Sequence, residues 1–247
     1  MKLAGKTVIV TGGGRDIGAA AAKKLSSEGA NVAISYFESS KGADTVVSEI
    51  KSANGKAIAI QADLNTQEGV DALVNETLAV FGSIDILVNN AGGLVARKTM
   101  AEMDLAHWNT VMTLNLSSTF MMTKACLEHI KSGTIVNLAS QAGRDGGGPG
   151  SLAYATSKGA VMTMTRGLAK EIGPDVRVNA ICPGMVDTDF HNIHTPDAGR
   201  RGFEANAPVR RQGHVDDVAN LVLFLASDDS AFMTGANIDI NGGMLFS

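Results

Sequence analysis

Only two cysteines occur in the 247 residues, Cys126 and Cys182, far apart and outside any metal-ligand spacing. Neither a disulfide framework nor a bound metal is expected from them. Long apolar runs are also missing: the longest candidate, Val218 to Ala226, falls well short of the ~18 apolar residues that a membrane span needs. Aromatic residues make up 4% of the chain and only two are tyrosines, so a tyrosine inside a motif requires an explanation. Charge of one sign is nowhere concentrated: 21 basic residues against 25 acidic ones give a net charge of -4. A nucleic-acid-binding surface calls for a basic stripe, and none is visible. Met1 to Val10 holds one apolar run ending at a glycine cluster, without a signal-peptide cleavage pattern. A cytoplasmic protein is expected, with neither membrane nor nucleic acid as a partner. What the chain does have is apolar content (45%) ample for a core, and 28 glycines, about 11% against an average near 7%.

Short apolar runs alternate with longer amphipathic stretches. Strands are expected at Lys6 to Thr11, Asn31 to Tyr36, Lys56 to Gln61, Ile84 to Asn89, Gly133 to Ala139, Val176 to Ile181 and Asn237 to Ile240. Several are apolar nearly throughout, as strands covered on both faces must be. Helices are expected at Ile17 to Glu28, Gly42 to Ser52, Gln67 to Phe81, Leu105 to Ile130, Ala153 to Ile172 and Asp216 to Ala226. Many stop at a glycine or turn signal, such as Gly29, Asn54-Gly55, Gly82 and Gly173-Pro174. About seven rounds of alternation imply a single-domain α/β chain over residues 1 to 247. Its expected form is a doubly wound parallel sheet of about seven strands with helices on both faces. Ligands in such a fold sit beyond the carboxyl ends of the strands, so chemistry is sought in the segments that follow them.

The first strand runs into TGGGRDIG (Thr11 to Gly18) and an alanine-rich stretch. Glycines there let the backbone approach a pyrophosphate, and the following helix N-terminus offers free N–H groups. The segment resembles the TGxxxGxG turn of the short-chain dehydrogenase/reductase family, whose members have a Rossmann fold. Gly12, Gly14, Arg15, Ile17 and Gly18 are the cofactor contacts that the resemblance implies. It departs at Asp16, which stands where that family usually has its middle glycine; an N-cap turned toward the helix amides is the expected role. Asp63 and Leu64 match the segment that contacts the adenine ring. Asn90, Ala91 and Gly92 match the NNAG segment lining the cofactor pocket, and Pro183, Gly184 and Thr188 match the stretch around the nicotinamide. An NAD site places a carboxylate on the adenosine ribose at the end of the second strand; that position is Tyr36, which cannot fill the role. Arg15 and Ser39 suit the 2′-phosphate of NADP(H), whereas Glu38 suits the ribose hydroxyl of NAD(H). NADP(H) is therefore favoured and NAD(H) kept open.

Tyr154 and Lys158 lie four residues apart on an expected helix and so share a face. An ammonium beside a phenol favours the phenolate; bringing the tyrosine from its reference value of about 10 to near 7 takes about 4 kcal/mol. With Ser140 and Asn115 they complete the catalytic set that the family resemblance implies. In it Tyr154 is the acid/base, Ser140 binds the substrate oxygen, Lys158 tunes the tyrosine, and Asn115 organises a proton relay. The implied reaction is hydride transfer between a nicotinamide and a carbonyl carbon.

SQAGRDGGGPG (Ser140 to Gly150) is too rich in glycine to wall a large apolar pocket. Gln141 and Arg144 are candidate substrate contacts, because an arginine can fork onto a carboxylate. Arg97, Lys98, His191 and His194 are further candidates, the two histidines in an expected lid after Gly184. This segment, with RDIG and the ending NGGMLFS, resembles bacterial reductases of the alginate monomer 4-deoxy-L-erythro-5-hexoseulose uronate. The resemblance implies a carboxylate-bearing carbonyl substrate and 2-keto-3-deoxy-gluconate as product. A 3-oxoacyl-(acyl carrier protein) reductase and a sugar or polyol dehydrogenase are the alternatives among enzymes; a catalytically inactive dinucleotide sensor is the alternative outside them. The helices at Leu105 to Ile130 and Ala153 to Ile172 carry apolar residues around much of their surface, and the family resemblance implies a homotetramer.

Overall fold

The computed structural model describes residues 1–246. Seven strands form one parallel sheet: β1 (Thr7–Val10), β2 (Asn31–Tyr36), β3 (Lys56–Gln61), β4 (Ile86–Asn89), β5 (Gly133–Leu138), β6 (Val176–Pro183) and β7 (Asn237–Ile240). Their order is β3-β2-β1-β4-β5-β6-β7, so the winding reverses between β1 and β4. Parallel strands need crossovers, and the amphipathic stretches supply them. They are α1 (Asp16–Ser27), α2 (Ser40–Ser52), α3 (Gln67–Phe81), α4 (Leu105–Met112), α5 (Ser118–Leu127), α6 (Ala142–Asp145), α7 (Leu152–Glu171), α8 (Asp189–His194), α9 (Asp197–Asn206) and α10 (Val215–Ala226).

Strand periodicity divides the core into two layers. Val8 and Val10 join Val32, Ile34 and the buried faces of α1, α2 and α10 on one side of the sheet. Ile9 and Ala33 point the other way, toward Leu73 and Val74 of α3 and Met122 of α5. Helix ends follow local chemistry. Thr66 caps α3 by accepting from the Gly69 N–H at 3.1 Å, Asp104 caps α4 through the His107 N–H at 2.7 Å, and Gly82 closes α3 at φ +78°.

The expected single helix from Leu105 to Ile130 is not uniform. One π-helical turn, Thr113–Ser117, separates α4 from α5, and the helix stops at Leu127. Three short helices went unanticipated: α6, and α8 and α9 in the segment between β6 and α10. No helix among the described residues is long and apolar enough to cross a membrane.

Candidate active site

The winding reversal places the turns after β1 and β4 side by side, because Val10 pairs with Val88 in register. Thr11 Oγ1 accepts from the N–H groups of Asn90 and Ala91, both at 2.9 Å. Asn90 Nδ2 in return donates to the carbonyls of Thr11 (2.9 Å) and Gly12 (3.1 Å). Gly12 has φ +63°, and its N–H donates to Ser35 Oγ at 3.1 Å. A Cβ on Gly18 would lie 2.2 Å from the Gly12 carbonyl oxygen, so the turn closes only over glycine. A Cβ on Gly14 would press on Ser39 O and Ala43 N at 3.3 and 3.2 Å, which ties the turn to the start of α2. The result is bare backbone at the N-terminus of α1, at the switch point where this class of sheet binds dinucleotides. The residues present fit such a group.

Around this cradle, Ile17 packs on the core and Leu64 is buried. Asp63 folds its own turn, accepting from the Asn65 backbone N–H at 3.0 Å. Tyr36 ends β2 half-buried against the core, while Glu38 is exposed and Ser39 precedes α2. The Arg15 side chain is 64% exposed, with only a 4.0 Å contact to Asp16. Asp16 does not cap α1 as expected. It takes φ +50°, and its Oδ1 accepts from the backbone N–H of Asp189 at 3.2 Å, across the cleft on α8. The helix amides are left open to the cradle instead.

Behind the cradle the four polar candidates meet. Asn115 lies in the π turn and is fully buried. Its Oδ1 accepts from the Gly93 N–H at 2.9 Å, and its Nδ2 donates to the carbonyls of Gly93 (2.8 Å) and Val111 (2.9 Å). A π turn widens the ring of backbone hydrogen bonds and here brings the side chain onto the β4 turn. A Cβ on Gly92 would lie 2.6 Å from Asn115 Oδ1 and 3.2 Å from Lys158 Nζ, so glycine keeps that floor open. Lys158 is 4% exposed, and its Nζ donates to the Leu138 carbonyl at 2.6 Å and lies 5.8 Å from the centre of the Tyr154 ring. Burial pulls its pKa down to about 8. Ser140 hydrogen-bonds the Tyr154 hydroxyl, which favours the phenolate, but burial outweighs it and raises the tyrosine pKa. Without the cofactor, the net direction at Tyr154 is upward and is set by burial. The tyrosine is held protonated, as a proton donor requires. Both cysteines are buried, with thiols pushed up to about 12 at Cys126 and about 11 at Cys182, which excludes a thiolate nucleophile near neutral pH.

The substrate side departs further from expectation. Arg144 does not face the cleft as a free anion reader. Its Nε pairs with Asp239 Oδ1 at 2.6 Å and its Nη2 donates to the Asn237 carbonyl at 2.6 Å, locking α6 onto β7. Strand order brings the carboxylate close, and the two side chains are only 15% and 16% exposed. Gln141 stays beside the site: its Nε2 donates to Asp145, and its buried Oε1 has no protein partner. That oxygen lies 3.0 Å from where a Gly184 Cβ would be, and Gln141 N donates to the Pro183 carbonyl at 2.9 Å. Thr188 is buried, with Oγ1 on the Val186 carbonyl at 3.1 Å, and starts the lid.

Phe190, which no sequence motif singles out, packs its ring 5.7 Å from that of Tyr154. His191 and His194 meet the same ring edge-on, each at 5.1 Å. Burial, with Arg200, Arg97 and His194 nearby, lowers the His191 pKa to about 4 despite Asp187. Arg97 donates from Nε to the His194 carbonyl (3.0 Å) and from Nη1 to the Pro149 carbonyl (2.8 Å), bridging lid and glycine-rich loop. The scarcity of aromatics was the available signal for Phe190, since it stands in the segment after a strand end.

A family model described as enoyl-(acyl carrier protein) reductase matches residues 12–245. A 3-oxoacyl-[acyl-carrier-protein] reductase of Synechocystis is 39% identical over 249 residues, 98% of this chain and 98% of that protein. Glucose 1-dehydrogenase 2 of Bacillus subtilis is 34% identical, over 98% of this chain and 95% of its own length. A crystal structure of a short-chain dehydrogenase from Burkholderia cenocepacia in complex with NADP superposes with a TM-score of 0.92 at 35% identity, over 98% of this chain and 99% of that one. Cradle, polar set and relatives agree, and the chain belongs to the short-chain dehydrogenase/reductase family, as an NAD(P)-dependent oxidoreductase acting on CH–OH or C=O groups.

Proposed function

We propose that this protein is an NADP(H)-dependent reductase of a small, polar, carboxylate-bearing carbonyl compound. The observation that carries the reading is the protonated, half-buried Tyr154, hydrogen-bonded to Ser140 and backed by Lys158 over the bare floor at Gly92. Gly12, Gly14, Ile17, Gly18, Asn90 to Gly92, Asp63, Leu64, Pro183, Gly184 and Thr188 would hold the nicotinamide cofactor, which when bound would supply a hydride for the carbonyl carbon. Tyr154 gives its proton to the carbonyl oxygen, so that C=O becomes CH–OH. Ser140 hydrogen-bonds the same oxygen as charge develops on it. The Lys158 ammonium stabilises the phenolate left behind, and Asn115 fixes the backbone at Gly93 that borders them.

NADP(H) is favoured over NAD(H) because Arg15 is exposed at the cradle and Tyr36 offers no carboxylate to a ribose; Glu38 is the one group acting against it. For the substrate, Gly146, Gly147 and Gly150 all take positive φ and leave that wall without side chains. Arg97 keeps three N–H groups beyond its two carbonyl bonds and replaces Arg144 as the cation for a substrate carboxylate. The specific compound proposed is 4-deoxy-L-erythro-5-hexoseulose uronate, reduced to 2-keto-3-deoxy-gluconate, on the resemblance of the Ser140 to Gly150 segment. Exposed Leu105, Phe120 and Leu152 on α4, α5 and α7 are the surface of the proposed homotetramer.

The test is absorbance at 340 nm, with NADPH and NADH in parallel for the uronate and an acetoacetyl thioester, and with NADP+ and NAD+ for a sugar alcohol. Oxidation of NADPH by the uronate, lost in Tyr154→Phe, is expected. Turnover of the thioester alone, or of the alcohol with NAD, refutes the substrate assignment.

A further inference from the structure

Asp16 is expensive where it stands. Its backbone is left-handed at φ +50°, a region that favours glycine, and its carboxylate borders the turn that holds a pyrophosphate. Two other carboxylates, Asp187 and Asp189, face it, with only Arg15 at 4.0 Å to offset them. What it gains is one bond: Oδ1 accepts from the Asp189 N–H, the first residue of α8. The next residue is Phe190, whose ring lies against Tyr154. The far end of α8 is pinned separately, where Arg97 donates to the His194 carbonyl at 3.0 Å. The lid helix is thus tied at its start by the phosphate-binding turn, at its end by the loop after β4, and in between by Arg200 of α9, which donates to Asn192.

We propose that Asp16 is a positioning residue that latches the lid to the phosphate-binding turn and so holds Phe190 over Tyr154. The cofactor cradle and the carbonyl site thereby share one closed state, because the same turn shapes the first and pins the cover of the second. Asp16 touches neither substrate nor reacting atoms; it acts through the backbone of Asp189. Asparagine can take the same left-handed backbone and offers the same acceptor oxygen, whereas glycine relieves the backbone and removes the acceptor.

The test compares Asp16→Gly, Asp16→Asn and the unaltered protein by limited trypsin cleavage after Arg200 and Arg201 on α9, followed with and without NADPH. Cleavage inside a helix requires local opening, so its rate reads how firmly the lid is held. The Gly variant should be cut about tenfold faster, the upper size expected when one hydrogen bond is lost; the Asn variant keeps an acceptor and should be cut clearly more slowly than the Gly variant, within about threefold of the unaltered protein. In the carbonyl assay the Gly variant should raise KM for the carbonyl while kcat changes little, with Asn restoring it. Only the KM readout rests on Tyr154 being the proton donor. Should no carbonyl be reduced at all, that reading fails while the cleavage rates still test the latch. Equal cleavage of the Gly variant and the unaltered protein overturns the proposal, as does an Asn variant cut as fast as the Gly variant.

Discussion

Lys158 is predicted to destabilise the protein it serves. The residue is 4% exposed, its pKa falls from 10.5 to about 8, and burial is the main cause. The folded state thus holds this proton less tightly than the unfolded chain. Between about pH 8 and 10.5 the unfolded chain binds more protons, and stability attributable to this group rises with pH across that window. The shift is worth about 3 kcal/mol, present as a cost below pH 8 and relieved by pH 10.5. Lys158→Met keeps the length and removes the charge. Against the gain stands the lost bond to the Leu138 carbonyl, about 1 kcal/mol. At pH 7 the Met variant should therefore unfold about 2 kcal/mol harder than the unaltered protein, although it is catalytically disabled. By pH 10.5 the order should invert, leaving it about 1 kcal/mol weaker. Urea unfolding of both apoproteins at one concentration, over this pH range, measures the gap directly. Groups that titrate alike in both proteins cancel in the difference. A gap that does not change with pH would show that Lys158 has an ordinary pKa, and would refute the burial cost argued for it.

Three further outcomes follow from the geometry. Gly18→Ala should weaken NADPH binding at least tenfold, as read by fluorescence titration, because the new Cβ would stand 2.2 Å from the Gly12 carbonyl and 2.6 Å from Asn90 Nδ2. Wild-type affinity would mean that the turn is not the phosphate cradle. Arg97→Gln should raise KM for a carboxylate-bearing substrate about tenfold and leave a neutral aldehyde unaffected. Arg144→Met, by contrast, should lower the melting temperature without altering either KM, since the arginine is committed to Asp239; the opposite pattern would restore Arg144 as the substrate contact.

The strands were legible because several are apolar nearly throughout, as Thr7–Val10 is, and burial on both faces leaves such a run no other place in the fold. Asn31–Tyr36, Lys56–Gln61 and Asn237–Ile240 agree with the structure to the residue. The phosphate turn was legible for a related reason: Gly18 answers to a contact with Gly12, six residues away, so spacing alone encodes it. The π turn at Thr113–Ser117 was hidden, because a helix that shifts its hydrogen bonds by one residue need not change its apolar period. Arg144 was misread because its partner lies 95 residues downstream, and only the pairing of β7 with β6 brings the two together. Asp16 and Asp189 are 173 residues apart, on segments that neither periodicity nor composition connects. Both misread residues carry charge, and a charge is the kind of group whose role local sequence decides least. Its cost is set by whatever burial and counter-charge the finished fold supplies. Glycine constraints travel a few residues and can be read in advance. Ion pairs and latches are settled by topology, as those of Arg144 with Asp239 and of Asp16 with the Asp189 backbone are here.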